Sequence, residues 1–230
     1  MALYAISDLH LAFTTDKPMD IFGAKWLKHD EKIKENWIKK ITDEDTVLIA
    51  GDISWSMRSD ESKVDLDWID ALPGKKIISK GNHDYWWGGI SKLNRMYENT
   101  KFLQNNFYTY EDYAICGSRG WILEGSDRFT EKDKKIFDRE IIRLKLSLDK
   151  AKEAGYENIV VMIHYPPMNE KRENSAFTNL FKEYGVKKVI YGHLHGPSLA
   201  NVLNGEHEGI EYLMTSCDFL DFDPKKYYKK

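Results

Sequence analysis

Five short polar motifs each close a short apolar run, and this repeated pairing is what most constrains the fold. Asp8-Leu9-His10 follows the run at 3–7, Gly51-Asp52 follows 46–50, and Gly81-Asn82-His83-Asp84 follows 76–79. His164 follows 159–163, and Gly192-His193-Leu194-His195 follows 186–191. Short apolar runs bounded by turn residues read as buried strands. Segments 30–41, 60–72, 90–98, 130–154 and 175–184 have helical spacing instead, with stops at Pro73-Gly74 and Gly155. Strands alternating with helices predict a layered α/β fold, and open α/β sheets place their ligands at the carboxyl ends of strands.

The middle of the chain changes character. Runs at 101–103, 107–110 and 113–116 read as neighbouring strands, antiparallel or mixed, and 199–203 with 209–215 as a final pair. No repeat, linker or composition break interrupts the chain, so 1–230 reads as one domain. A net charge of −3 gives no general attraction to nucleic acid or anionic membrane. Lys225, Lys226, Lys229 and Lys230 read as a solvated tail. No run approaches transmembrane length, and the N-terminus lacks the basic segment of a signal peptide. Cys116 and Cys217, the only two cysteines, form no framework, which fits a reducing cytoplasm.

The motif residues offer carboxylates, imidazoles and one amide, with no thiolate. That donor set suits Mn²⁺, Fe or Zn²⁺ better than Ca²⁺ or a structural zinc. On an extended strand, residues i and i+2 point the same way. Asp8 and His10 are therefore expected on one side of a strand end, as are His193 and His195, each pair gripping one cation. Two divalent ions outweigh Asp8 and Asp52 even with a bound hydroxide, so the site stays positive toward a phosphoryl group. Ions about 4 Å apart can hold a bridging hydroxide on one side and phosphoryl oxygens on the other. His29 and His207 match no motif and read as surface residues.

In this order the motifs resemble those of the calcineurin-like metallophosphoesterases: Asp-x-His, Gly-Asp, Gly-Asn-His-Asp/Glu, His, and Gly-His-x-His. They span residues 8 to 195, and each is intact. The resemblance implies a four-layer αββα sandwich, two mixed sheets flanked by helices, with metals at the strand ends. It implies one ion on Asp8, His10, Asp52 and His195, and a second on Asp52, Asn82, His164 and His193, with Asp52 bridging. His83 is then the histidine that faces substrate without binding metal, supported by Asp84. The residues agree on His83, because neighbours on an extended segment, here Asn82 and His83, point apart. A histidine near a pKa of about 6.5 can protonate a leaving alkoxide at neutral pH. Asp84 is expected to orient the ring and stabilise the imidazolium. The implied reaction is phosphoester hydrolysis by a metal-bridging hydroxide, with Asn82 and the ions stabilising the developing charge.

Departures from subfamily patterns bear on substrate. Protein Ser/Thr phosphatases of this family carry Gly-Asp-x-x-Asp-Arg-Gly, whereas residues 51–57 here read Gly-Asp-Ile-Ser-Trp-Ser-Met. The arginine that holds phosphate is missing, which favours a small-molecule phosphodiester over a phosphomonoester or phosphoprotein. The lipid A precursor pyrophosphatase branch shares the start at residues 7–11 but has arginine where this chain has His83. A nuclease is disfavoured by the lack of a basic surface, and a non-catalytic metal-binding scaffold by the absence of gaps in the motifs. Arg58 and Arg119 are candidate phosphate contacts, Arg119 bidentately, with surface pairing as the plainer reading. Trp55, Tyr85, Trp86, Trp87, Trp121 and Tyr165 lie near the motifs, and packing at a pocket rim is favoured over stacking on a nucleobase. The irregular stretch 11–29 reads equally as a pocket wall or a plain connection. The expected partner is a small-molecule phosphoester, with neither a membrane nor a nucleic acid.

Overall fold

The computed structural model describes residues 1–229. In chain order the main elements are β1 (Ala2–Ile6), α1 (His29–Lys40), β2 (Thr46–Ala50), α2 (Ser62–Asp70), β3 (Lys75–Ser79), α3 (Ile90–Leu93), β4 (Thr100–Leu103), β5 (Tyr108–Tyr110) and β6 (Tyr113–Ser118). They continue with α4 (Glu131–Glu153), β7 (Asn158–Ile163), α5 (Ala176–Glu183), β8 (Lys188–Tyr191), β9 (Gly205–His207), β10 (Ile210–Met214) and β11 (Lys225–Lys229). One sheet has the order β11-β1-β2-β3-β4 and the other β5-β6-β7-β8-β10-β9. Each has a parallel centre and antiparallel pairing at an edge, at β11 in the first sheet and at β5 and β9 in the second.

Strand alternation builds the layers. In β1, Leu3 and Ala5 enter an apolar core shared with Leu48, Ala50, Ile77, Ile115, Val160, Met162 and Ile190, which lies between the sheets. Ala2, Tyr4 and Ile6 face the other way, onto Ile33 and Trp37 of α1 and Leu66 and Ile69 of α2. The second sheet repeats the pattern, with Cys116, Ile159, Val161 and Val189 packed under Phe137, Leu144 and Leu148 of α4 and Phe177 and Phe181 of α5. Three cores between four layers give the αββα sandwich that the motif order implies. Strands buried on both faces explain why their sequences are apolar runs rather than alternating ones. Capping boxes at Thr130/Asp133 and Ser175/Thr178 start α4 and α5.

Four expectations need correction. The stretch 199–203 is not a strand: residues Gly196–Asn201 form a 3₁₀ turn, and β9 comes later. The three runs of the middle are not one set of neighbours. β4 closes the first sheet in parallel with β3, while β5 and β6 form a hairpin in the second. Of the lysine-rich ending, Lys230 lies outside the described residues, and Lys225–Lys229 form an antiparallel edge strand on β1 rather than a tail. Its register shifts between Leu3 and Tyr4, which pair with Tyr228 and Lys226. The extra residue on the β11 side lets the consecutive Tyr227 and Tyr228 both pack against the core between the sheets. The segment 90–98 is helical only over Ile90–Leu93.

Candidate metal centre

β1, β2, β3, β7 and β8 all end at one rim, and there the motif loops converge. The ladder between the first two continues past the strands, with His10 N–H donating to Asp52 O (3.0 Å) and Leu11 N–H to Ile53 O (2.9 Å). Four site residues adopt left-handed backbone: Asp8 (φ 58°), His10 (46°), Asp52 (52°) and His193 (74°). L-residues rarely do so, and such strain clusters at functional loops. The loops also approach one another too closely for side chains at two glycines. A Cβ on Gly81 would lie 2.1 Å from Asp52 N, and one on Gly192 2.2 Å from Asp8 Oδ2.

Two groups of donors result, Asp8/His10/His195 and Asp52/His164/His193, each with its ligand atoms within 4.8 Å of one another. In the first, His10 Nε2 lies 3.4 Å from His195 Nε2, which is 3.5 Å from Asp8 Oδ1. In the second, His164 Nε2 lies 3.4 Å from Asp52 Oδ2, 3.3 Å from His193 Nδ1 and 2.8 Å from Asn82 Oδ1. Donors at bonds of about 2.1 Å around one cation sit roughly 3.0–3.4 Å apart, so both groups fit an ion. Asp52 Oδ2 is also 3.9 Å from His10 Nε2, so one carboxylate oxygen reaches both groups.

The strand-end argument for pairs is half right. Asp8 and His10 do meet, but by way of left-handed turns rather than extended backbone. His193 and His195 separate, because the positive φ at His193 turns the two imidazoles toward different groups.

Outer partners set the histidine tautomers. His164 Nδ1–H donates to Ala50 O (2.9 Å), and His195 Nδ1–H to Asp218 Oδ1 (2.8 Å), which leaves each Nε2 facing inward. Burial opposes a charge on His195, but its bonds to Asp218 and Asp8 outweigh this and push its pKa up to about 10. Burial likewise opposes a charge on His164, and the Asp52 carboxylate overrides it to reach about 9. Burial pushes His10 down to about 4, and burial together with the His164 charge pushes His193 to about 3. Asp8 is held at about 2, because the His195 bond and the nearby imidazolium charges overcome burial.

Asp84 departs from expectation. It is fully buried, and its carboxylate accepts N–H groups from Gly81 (2.7 Å), Ile53 (2.8 Å), Asp52 (3.0 Å) and Ser54 (3.3 Å), and the Trp86 indole N–H (3.1 Å). None of these bonds comes from His83, so Asp84 ties two loops together instead of orienting that ring. Burial and then the Asp52 charge raise its pKa to about 6.

The remaining candidates separate cleanly. Arg58 is exposed and pairs with Asp60 (3.1 Å). Arg119 is neither free nor a surface pair: its guanidinium lies 3.3 Å from the fully buried Glu140 and 4.3 Å from the centre of the Trp121 ring. Its carbonyl accepts the N–H groups of His164 and Tyr165. His29 is not a plain surface residue, because its Nε2–H donates to Leu9 O (3.0 Å) behind the first motif. His207 is half-buried on β9, 6.5 Å from the Tyr212 ring. Trp86 and Trp87 are core residues, while Tyr165 lies 4.0 Å from the His193 ring and Trp55 stacks 4.8 Å from His10. The 11–29 loop forms a wall of the centre through Trp26, whose ring lies 5.5 Å from His195 and 6.1 Å from His10.

Asp218 is the residue that motif reading missed. It follows a strand, β10, as the other motifs do, but no glycine or histidine marks it. Ser216 Oγ–H donates to Asp8 Oδ2 (2.9 Å) from the same turn.

Two outcomes follow from these bonds. His164 and His195 carry protons at pH 7 and must lose one each from Nε2 to ligate an ion, so loading with Mn²⁺ at pH 7 should release about two protons per chain. Because both pKa values are raised, protons compete with the ion at neutral pH, and affinity should rise toward pH 9–10. Calorimetry in buffers of different ionisation enthalpy reads the release directly, and none at pH 7 would contradict the assignment. Asp218→Asn should weaken Mn²⁺ binding by about 10–100-fold, the usual effect of losing an outer carboxylate on a ligating histidine. Unchanged affinity would show that His195 needs no such partner.

Residues 1–197 match the model of the calcineurin-like phosphoesterase family. The Gene 66 protein of Mycobacterium phage L5 is 24% identical over 193 residues, 84% of this chain and 77% of that protein. Among solved structures, phosphopantetheinyl hydrolase of Mycobacterium tuberculosis shares the fold at a TM-score of 0.63 and 13% identity, over 100% of this chain and 96% of that one. Protein AQ665 of Aquifex aeolicus does so at 0.52 and 18%, over 98% and 95%. The matched stretch contains every residue of both donor groups, and this chain belongs to the calcineurin-like phosphoesterase family.

Proposed function

We propose that this chain hydrolyses a small-molecule phosphodiester at a dinuclear centre. Asp8, His10, Asp52 and His195 would hold one ion, and Asp52, Asn82, His164 and His193 the other. The observation that carries this reading is the placement of Asp52 Oδ2, 3.9 Å from His10 Nε2 and 3.4 Å from His164 Nε2, between the two groups. When bound, Mn, Fe or Zn ions supply Lewis acidity toward the phosphoryl oxygens and the attacking water.

The chain's own residues do the remaining work. The other Asp52 oxygen, Oδ1, accepts the His83 N–H at 2.8 Å, which fixes the carboxylate and the third motif together. Asn82 presents its amide beside His164, next to the position of the developing phosphoryl charge. His83 stands at the mouth, half-buried, with its ring centre 5.8 Å from that of His10. It donates a proton to the leaving oxygen.

The diester preference rests on which cations are free. A monoester dianion calls for an arginine near the centre. Arg119 is committed to Glu140, Arg58 to Asp60, and residues 51–57 carry no arginine. A diester monoanion needs less positive charge, and the ions with His83 suffice for it.

Two measurements test this. His83→Ala should keep both ions and lower turnover by about 10²–10⁴-fold for a poor leaving group, with a smaller loss for p-nitrophenolate, which needs little protonation. Equal losses would remove the acid role. Secondly, kcat/KM for bis-p-nitrophenyl phosphate should at least equal that for p-nitrophenyl phosphate with the same metal. A hundredfold preference for the monoester, about 2.7 kcal/mol of transition-state discrimination, would overturn the diesterase reading.

A further inference from the structure

A proton donor must be held in place, and the residue expected to hold His83 does not touch it. All the hydrogen bonds to Asp84 come from Gly81, Asp52, Ile53, Ser54 and Trp86. Among the described residues, no hydrogen bond meets either ring nitrogen of His83, and its anchored polar atoms are both in the backbone: the N–H donates to Asp52 Oδ1 and the carbonyl accepts the Tyr85 N–H (2.8 Å). What touches the ring is aromatic. The Trp55 ring centre lies 4.3 Å from that of His83 and 4.8 Å from that of His10, against which the indole stacks at an interplanar angle of 21°.

Trp55 is itself held from several directions. Its backbone N–H donates to Leu11 O (2.9 Å), which continues the ladder between the first two motif loops. Its indole N–H points at Met19 Sδ (3.2 Å), at the base of the 11–29 loop. Its neighbours Ser54 and Ser56 both donate to Asp65 Oδ2, and the other oxygen of that buried carboxylate accepts the Phe13 N–H (3.1 Å). A buried carboxylate with neutral donors on both flanks of one residue fixes that residue's backbone. None of these bonds involves a metal ligand's side chain. Their effect is to place one rigid indole between His10 and His83.

We propose that Trp55 is the positioning residue for His83, setting the imidazole toward the leaving-group oxygen by ring contact rather than by a carboxylate. This rests on the reading of His83 as the proton donor. The Trp55 ring meets the His83 ring at a tilt of 52°, and such a contact restrains the imidazole while both nitrogens stay free, one to carry the proton to the leaving group and the other open to water. A carboxylate partner would occupy one of them.

The test compares Trp55→Ala, Trp55→Phe, His83→Ala and the Trp55→Ala/His83→Ala double variant, each checked for two bound Mn²⁺. The substrates are a dialkyl phosphodiester, whose only leaving groups are poor alkoxides, and bis-p-nitrophenyl phosphate. Trp55→Ala should lower kcat for the alkyl leaving group by on the order of 10–100-fold, the usual effect of misplacing a reacting group by about 1 Å. KM should stay nearly constant, the loss for p-nitrophenolate should be small, and Trp55→Phe should recover most of the rate. The double variant should be no slower than His83→Ala alone. If His83→Ala is selective for the poor leaving group but Trp55→Ala slows both substrates equally, or multiplies the His83→Ala loss, the positioning role fails and the acid assignment stands. If His83→Ala itself slows both equally, the acid assignment fails and takes this inference with it. Loss of metal in Trp55→Ala would make the indole a support for His10, and Trp55→Phe with full metal content then decides: retained selectivity for the good leaving group upholds the role, and an even loss overturns it.

Discussion

Asp8, Asp52 and Asp84 lie at the ends of parallel strands with almost no access to water, at 0%, 2% and 0% exposure. An ionised carboxylate in such a place costs several kcal/mol unless donors or cations meet it. The loops around the rim are bent to supply them. Asp84 gathers backbone N–H groups from two motifs, Asp8 takes the His193 N–H and the hydroxyls of Ser7 and Ser216, and Asp52 takes the His83 N–H. Left-handed backbone at four site residues costs on the order of 1–3 kcal/mol each, and the apolar packing on both faces of both sheets sustains it.

The same crowding sets the charge state before any ion arrives. Asp8 and Asp52 are ionised, and the two histidines pushed up, His164 and His195, balance them as cations. His10 and His193 are pushed down and stay neutral, with lone pairs turned toward their charged neighbours. His164 and His195 thus offset the charges of Asp8 and Asp52 as folded, with protons at positions that cations would take. Loading the site would then exchange protons for ions.

Much of this was legible in the residues. The apolar runs identify β1, β2, β3, β7 and β8, because a strand covered on both faces cannot hide its composition. The helices marked by capping boxes and terminal glycines, α4 and α5, fall within a residue or two of their expected bounds. What the sequence hides are the features set by tertiary contact. β11 is lysine-rich yet pairs with β1, since edge strands tolerate charge and its tyrosines carry the packing. The His193/His195 split depends on a single φ angle, which spacing does not encode. Asp84 sits beside His83 in sequence, but its carboxylate turns onto the backbone of Gly81, Asp52 and Ile53 instead. The aromatic residue that reaches His83 comes from another loop, 28 positions away.

The family match ends at residue 197, after the last histidine motif. Ser216, Asp218, β10 and β11 all come later, and each serves the centre: a hydroxyl on Asp8, a carboxylate on His195, a strand beside β8 and a strand beside β1. A fragment cut at the end of the motifs would keep all eight candidate ligand contacts, with Asp52 counted twice, and lose what holds two of them in register. Motif content and working length are thus different properties of this chain. In building expression boundaries or chimaeras, the segment to preserve is the one that carries no signature at all.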